Sequence, residues 1–150
     1  MKLFFKPVAA SIIVCTMMVM SCKTQKPATQ TNDKDVMEVT VDDSYSQPED
    51  MASVDISKVE ITGDILSINV SYSGGCAEHE FKLYFNGMYM KSLPPKVNLM
   101  LFHDNKGDSC RSIVEKTLKF DLKNIREKGK TTGEIMVKVS GMENALSYKY

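Results

Sequence analysis

Two cysteines and both histidines of this chain lie close together in the sequence, and their side chains could build one site. Cys76 precedes His79 by three positions, and His103 precedes Cys110 by seven. Two thiolates and two imidazoles are a common ligand set of structural zinc. Zinc could also be held by the imidazoles and one nearby carboxylate, with the sulfurs joined in a disulfide. The carboxylates considered for that role are Glu78, Glu80 and Asp104.

The N-terminus indicates the compartment in which this chemistry takes place. Lys2 and Lys6 precede an uncharged run from residue 8 to residue 20, which fits a secretory signal and is too short for a membrane span. Val19-Met20-Ser21-Cys22 resembles the processing box of bacterial lipoproteins. That resemblance implies cleavage after residue 21 and attachment of lipid, including palmitate, to Cys22. An ordinary secretory signal or an uncleaved anchor is the alternative.

Export changes the interpretation of the cysteines. Cys15 leaves with the signal peptide and Cys22 carries lipid, so Cys76 and Cys110 remain. In an oxidising compartment two such thiols form a disulfide, which closes a 35-residue loop (76 to 110) and stabilises the fold by about 3–4 kcal/mol. A reduced zinc site at His79 and His103 is then the alternative to two structural histidines.

The residues after the lipobox divide into two parts. Residues 22–53 are mostly polar and predict a tether with a root-mean-square span of roughly 30 Å, and residues 54–150 predict one domain. Within the tether, residues 36–41 alternate and predict one short strand. Lys23 follows the lipobox cysteine without an acidic run. By resemblance to lipoprotein sorting rules, this favours the outer membrane and its periplasmic face.

The domain is dominated by alternating apolar and polar residues, the mark of half-buried strands. About seven such strands are separated by glycine, proline and asparagine turns, which predicts an all-β, antiparallel, immunoglobulin-like two-sheet sandwich. A small up-and-down barrel is the alternative. The predicted strands are centred on residues 54–61, 66–72, 81–85, 97–102, 118–122, 135–139 and 146–150.

Strand parity predicts that the two histidines meet. His79 extends the inward series of Phe81, and His103 extends the inward series of Leu101. If the two strands run antiparallel, the start of one lies beside the end of the other. We therefore expect both imidazoles beside the disulfide, at one end of the sandwich.

The same residues carry a second resemblance. The block Gly74-Gly75-Cys76-x-x-His79-x-Phe81 is followed by His103 and then by Gly107-Asp108-x-Cys110. This pattern is similar to that of a group of small, uncharacterised Gram-negative lipoproteins. The resemblance covers about a third of the mature chain; it implies a shared fold and a shared site, and it implies no activity.

Composition and motifs bound the function. The mature chain has 17 basic and 19 acidic residues, a net charge of 17 − 19 = −2, which gives no electrostatic case for nucleic-acid binding. No phosphate-binding loop, zinc-protease motif or nucleophile elbow occurs, so we predict a lipid-anchored module without catalytic function. Its expected partner is an envelope protein or glycan.

Three further features could make contacts at the surface. We expect the partner to be contacted by the loops, or by an uncovered sheet face that bears Tyr84, Met100 and Phe102. The basic stretch from Lys116 to Lys130 predicts a solvated face, with contact to anionic glycan or headgroup phosphate as the alternative. Met88-Tyr-Met90 has the spacing of copper(I) thioether ligands, although such a pair more often packs in a core.

Overall fold

The computed structural model describes residues 35–150. The predicted signal peptide, the lipidation site Cys22 and the first part of the tether lie outside the described residues. Within residues 35–150, no helix is long and apolar enough to cross a membrane.

The described chain forms nine strands and a short 3-10 helix at Lys123–Ile125. The strands are β1 (Val36–Glu38), β2 (Thr40–Val41), β3 (Asp55–Thr62), β4 (Ile65–Gly74), β5 (Glu80–Phe85), β6 (Lys96–Asp104), β7 (Ser112–Asp121), β8 (Glu134–Val139) and β9 (Leu146–Lys149).

The strands form two sheets. The first has the order β1-β7-β4-β3, and the second has the order β2-β5-β6-β8-β9. Most neighbours are antiparallel, whereas β1 with β7, β2 with β5 and β6 with β8 are parallel. The predicted all-β sandwich is confirmed, and the barrel alternative is wrong because the strands divide between two separate sheets.

The core lies between the sheets and is built from the alternating residues. β4 alternates between inward and outward positions along its whole length, and β6 does the same. The inward set is buried because each strand turns every second side chain to the same face. Its members include Leu66, Ile68, Val70, Leu83, Phe85, Val97, Leu99, Leu118, Phe120, Ile135, Val137 and Tyr148.

The sandwich begins earlier than the sequence predicts. β1 pairs with residues 119–121 of β7, and β2 pairs with residues 84–85 of β5, so residues 36–41 cross from one sheet to the other. Val39 lies between the two strands and is 1% exposed, because it fills the space between the sheets. The predicted boundary at residue 54 is therefore too late.

The outer face of the second sheet is covered in part. The ring of Tyr45 stacks on Tyr84 with 3.7 Å between centroids and 7° between planes, and Tyr84 contacts Phe102 edge-on. Pro48 and Met51 line a shallow cavity together with Phe102. Residues of the predicted tether therefore lie near Tyr84 and Phe102, so the face that was expected to be uncovered is covered in part.

Replacing Val39 tests whether residues 36–41 belong to the core. Val39→Ala removes two buried methyl groups, and we expect the free energy of unfolding to fall by about 2 kcal/mol. Val41→Ala is the matched control, because Val41 is 52% exposed and its loss is expected to stay within about 0.5 kcal/mol. Urea unfolding measures both. Equal small effects would contradict the early start of the domain.

Candidate functional site

The candidate site lies at the end of the sandwich where β4 and β6 finish and β5 and β7 begin. Cys76 is in the loop between β4 and β5, and Cys110 is in the loop between β6 and β7. The two are joined in a disulfide with 5.9 Å between their Cα atoms, which is an ordinary spacing. The bridge therefore connects the two sheets through their loops.

In addition to the disulfide, hydrogen bonds to one carboxylate join the same two loops. The backbone amide of Cys110 donates to Oδ1 of Asp108 at 2.8 Å, and the amides of Cys76 and Ala77 donate to Oδ2 at 3.0 Å. The Asp108 side chain is 1% exposed. These backbone amides, that of Cys110 foremost, hold the pKa of the Asp108 carboxyl well below its usual range.

The structure brings His79 and His103 together beneath this carboxylate. His79 Nδ1 lies 2.8 Å from His103 Nε2, and His79 Nε2 lies 3.2 Å from Asp108 Oδ2. His103 Nδ1 lies 3.2 Å from the carbonyl oxygen of Ala52 and 3.1 Å from that of Ser53. Both rings are buried, so the contacts form one continuous chain from Asp108 to the backbone of residues 52–53.

The hydrogen-bond partners determine how many protons this chain needs. A carboxylate and a backbone carbonyl only accept, so the contact at each end requires an N–H, and the contact between the rings requires a third. Two neutral imidazoles carry only two. Burial lowers the pKa of His103, which favours a neutral ring that donates through Nδ1. The complete network therefore requires one more proton than two neutral imidazoles carry.

Aromatic rings and a glycine shape the pocket that holds the histidines. The ring of Phe81 stacks on His103 at 4.5 Å, and Tyr72 packs against His79 at 4.6 Å. A Cβ atom added to Gly74 would lie 2.6 Å from two atoms of the His79 ring, well inside contact distance. Glycine is therefore the residue that lets β4 pass directly over this ring.

Asp108 is the functional carboxylate that sequence reasoning missed. Of the three carboxylates considered, Glu80 and Asp104 form surface ion pairs with Lys106 instead. The spacing Asp108-x-Cys110 held a usable signal, because an aspartate often accepts from the amide two residues ahead.

The geometry also bears on the zinc alternative. Each ring nitrogen of His79 and His103 has a protein partner within 3.2 Å, and the two sulfurs are bonded to each other. Two nitrogens bound to one tetrahedral zinc at 2.0–2.1 Å would be about 3.3 Å apart. The observed 2.8 Å is a hydrogen-bond distance, so zinc binding would require these rings to separate.

A small cavity opens beside the histidines. It has a volume of about 210 Å³ and is lined by polar groups of Ser53, Tyr72, Ser73 and Asn105. Ile113, at the start of β7, lies at its edge and is 71% exposed.

The pH dependence of stability tests the role of Asp108. Because the pKa of Asp108 is lowered in the fold, its contribution is complete above the unfolded value of about 3.9 and is lost as the pH falls below it. We expect Asp108→Asn to be less stable than the wild type at pH 7, with the difference shrinking between pH 4 and pH 2. Urea unfolding at each pH measures it, with exposed Asp50→Asn as control. A difference independent of pH would contradict this role.

A second substitution tests the packing of His79. Gly74→Ala forces a Cβ into the His79 ring, and we expect the free energy of unfolding to fall by about 1–3 kcal/mol. Ser73→Ala, at the neighbouring exposed position, is expected to change it by no more than about 0.5 kcal/mol. Equal stability of the two variants would show that the ring can move without cost.

Comparison with known proteins identifies the fold family. No curated protein matches the chain. A NigD-like immunity protein from Bacteroides caccae ATCC 43185 is similar in structure, with a TM-score of 0.53 and 15% identity over 77% of this chain and 63% of that one. A protein described as toxin-related, from Parabacteroides distasonis ATCC 8503, has a TM-score of 0.47 and 17% identity over 77% and 60%.

This chain therefore spans less than two thirds of either structure. Residues 32–149 match the family model described as the NigD-like C-terminal beta sandwich domain, and this region contains every strand described above. The chain belongs to the NigD-like C-terminal beta sandwich domain family.

Proposed function

We propose that this protein is a lipid-anchored envelope protein that binds a protein partner through the disulfide end of its sandwich and has no catalytic role. The anchor is the lipid on Cys22, which the lipobox supports, and the location is the periplasmic face of the outer membrane. The observation that carries the binding role is the exposed Ile113 at the start of β7, beside the polar cavity. The adjacent loops are held together by the disulfide and by Asp108.

The state of the histidines supports a structural rather than a catalytic role. A general base needs a ring nitrogen that can reach the proton of a substrate. The nitrogens of His79 and His103 face each other, Asp108 and the carbonyl oxygens of residues 52–53. Their hydrogen bonds join three segments of the chain, and every ring nitrogen already has a partner within the protein.

Rigid loops favour binding because little conformational entropy is then lost on association. The disulfide and Asp108 hold the loop before β5 against the loop before β7. His103 in addition holds residues 52–53 at the same end. An exposed apolar side chain surrounded by hydrogen-bonding groups has the character of an interface anchor with its polar rim. Ile113 and the cavity beside it have this character.

A protein partner is favoured over a glycan by the structural relative. The Bacteroides caccae protein is described as a NigD-like immunity protein. That description supports a protein ligand for a chain with the same fold.

A substitution at Ile113 tests the proposal. We expect the wild-type lipoprotein to recover a stoichiometric partner from envelope extracts after cross-linking, and Ile113→Asp to lose at least about 90% of that recovery. Asn144→Asp is the matched control, because it adds the same negative charge at an exposed position in the loop between β8 and β9. Quantitative mass spectrometry measures both. Equal recovery by the two variants, or none by the wild type, would overturn the proposal.

A further inference from the structure

The loop between β5 and β6, residues 86–95, displays an unusual amount of apolar surface. Leu93 is 100% exposed, Met88 is 67% exposed and Met90 is 48% exposed, so three large apolar side chains face solvent within six residues. The methionine pair, which the sequence associated with packing or copper, lies in this loop rather than in the core. Exposed apolar groups clustered in this way mark an interaction surface.

The loop is held in place by the residue between the two methionines. The Tyr89 hydroxyl lies 3.2 Å from the carbonyl oxygen of Ile125 and 3.0 Å from that of Arg126. The Tyr89 ring also packs edge-on against Phe85 at 5.4 Å. Because Tyr89 is directed inward, Met88 and Met90 remain outside, and the apolar display is a fixed feature of the loop.

Basic side chains lie beside the loop that carries the apolar group. A cavity of about 640 Å³ lies beside Tyr89 and includes Arg126, Lys128 and Lys130 in its lining. Among residues 35–150, Lys91 and Lys128 form no ion pair, whereas Lys130 pairs with Glu127 at 2.7 Å. Asp42 and Asp43 follow β2 and offset part of this charge. The surface therefore combines exposed apolar side chains with lysine ammonium groups that form no ion pair. Such a surface is complementary to a membrane, in which lipid phosphates lie above the hydrocarbon.

The chain length between the lipid and the domain keeps this surface near the bilayer. The sequence predicted a tether from residue 22 to residue 53, but the first strand begins at Val36. A coil of 13 residues, the number from 22 to 34, has a span of only about 20 Å. β1 pairs with the last residues of β7, which lead into the 3-10 helix and Arg126. Val36, the first residue of β1, therefore lies near the end of the domain that carries the loop.

We propose that the loop of residues 86–95 docks on the membrane surface, with Met88, Met90 and Leu93 inserted at the boundary between headgroups and acyl chains. Lys91 and Lys128 then contact lipid phosphates. This inference rests on the lipid anchor of the proposed function, because the anchor supplies the proximity and the loop supplies a second membrane contact. Docking in this way directs the disulfide end, at the other end of β5 and β6, away from the bilayer.

Vesicle binding without the lipid tests the loop by itself. The mature chain carrying Cys22→Ser is mixed with phosphatidylethanolamine vesicles containing phosphatidylglycerol, and bound protein is measured by sedimentation. We expect weak but measurable partition that falls at least about tenfold in the Met88→Asp/Leu93→Asp variant. Ile113→Asp is the control, because Ile113 is similarly exposed at the disulfide end, and its partition is expected to be unchanged. Thermal unfolding checks that all three chains are equally folded.

The outcomes separate this inference from the proposed function. No partition by the Cys22→Ser chain, or equal partition by the loop and control variants, would overturn membrane docking. Loss of a cross-linked protein in the loop variant with vesicle binding unchanged would show that a protein occupies the loop, and would also overturn it. The mass of the N-terminal peptide of the wild type tests the anchor independently. An unlipidated Cys22 would overturn the anchor and leave the vesicle result standing.

Discussion

The buried carboxylate of Asp108 is the constraint on which the disulfide end of this sandwich depends. It accepts hydrogen bonds from the backbone amides of both bridged cysteines and lies 3.2 Å from His79. A buried carboxylate is stable only when its oxygens are satisfied in this way. The requirement is mutual: the loops neutralise the cost of burying Asp108, and Asp108 supplies the acceptor that their amides would otherwise lack.

The hydrogen bonds that begin at Asp108 reach a part of the chain that is distant in sequence. His79 is hydrogen-bonded to His103, and Nδ1 of His103 lies within hydrogen-bond distance of the carbonyl oxygens of residues 52–53. Residues 45–53 are thereby held at both ends, by the Tyr45 stack on Tyr84 and by His103. The two ends of the sandwich differ in character. At the disulfide end, cross-linked loops surround a small polar cavity. At the other end, the loop held by Tyr89 exposes apolar side chains to solvent.

Much of the fold could be predicted because strand periodicity is a local property. Leu66, Ile68 and Val70 alternate so regularly that the sequence shows both the strand and its inward face. The same parity placed His79 and His103 on inward positions near the same end. β7 was predicted too short, because Ile113 to Thr117 lie on its exposed portion and lack an alternating pattern. A strand that is exposed on both faces needs no alternation of apolar and polar residues, so its sequence shows no period of two.

The sequence by itself determined the strand pattern and the all-β class, because these depend on side-chain periodicity, and it predicted the Cys76–Cys110 disulfide that the structure contains. The tertiary structure alone decided which carboxylate meets His79, that Val39 is core, and that Tyr45 stacks on Tyr84. Each of these contacts joins residues at least 29 positions apart, or joins the two sheets. A local sequence pattern does not specify contacts between residues so far apart. These contacts are set when the two sheets pack and most buried polar groups gain partners.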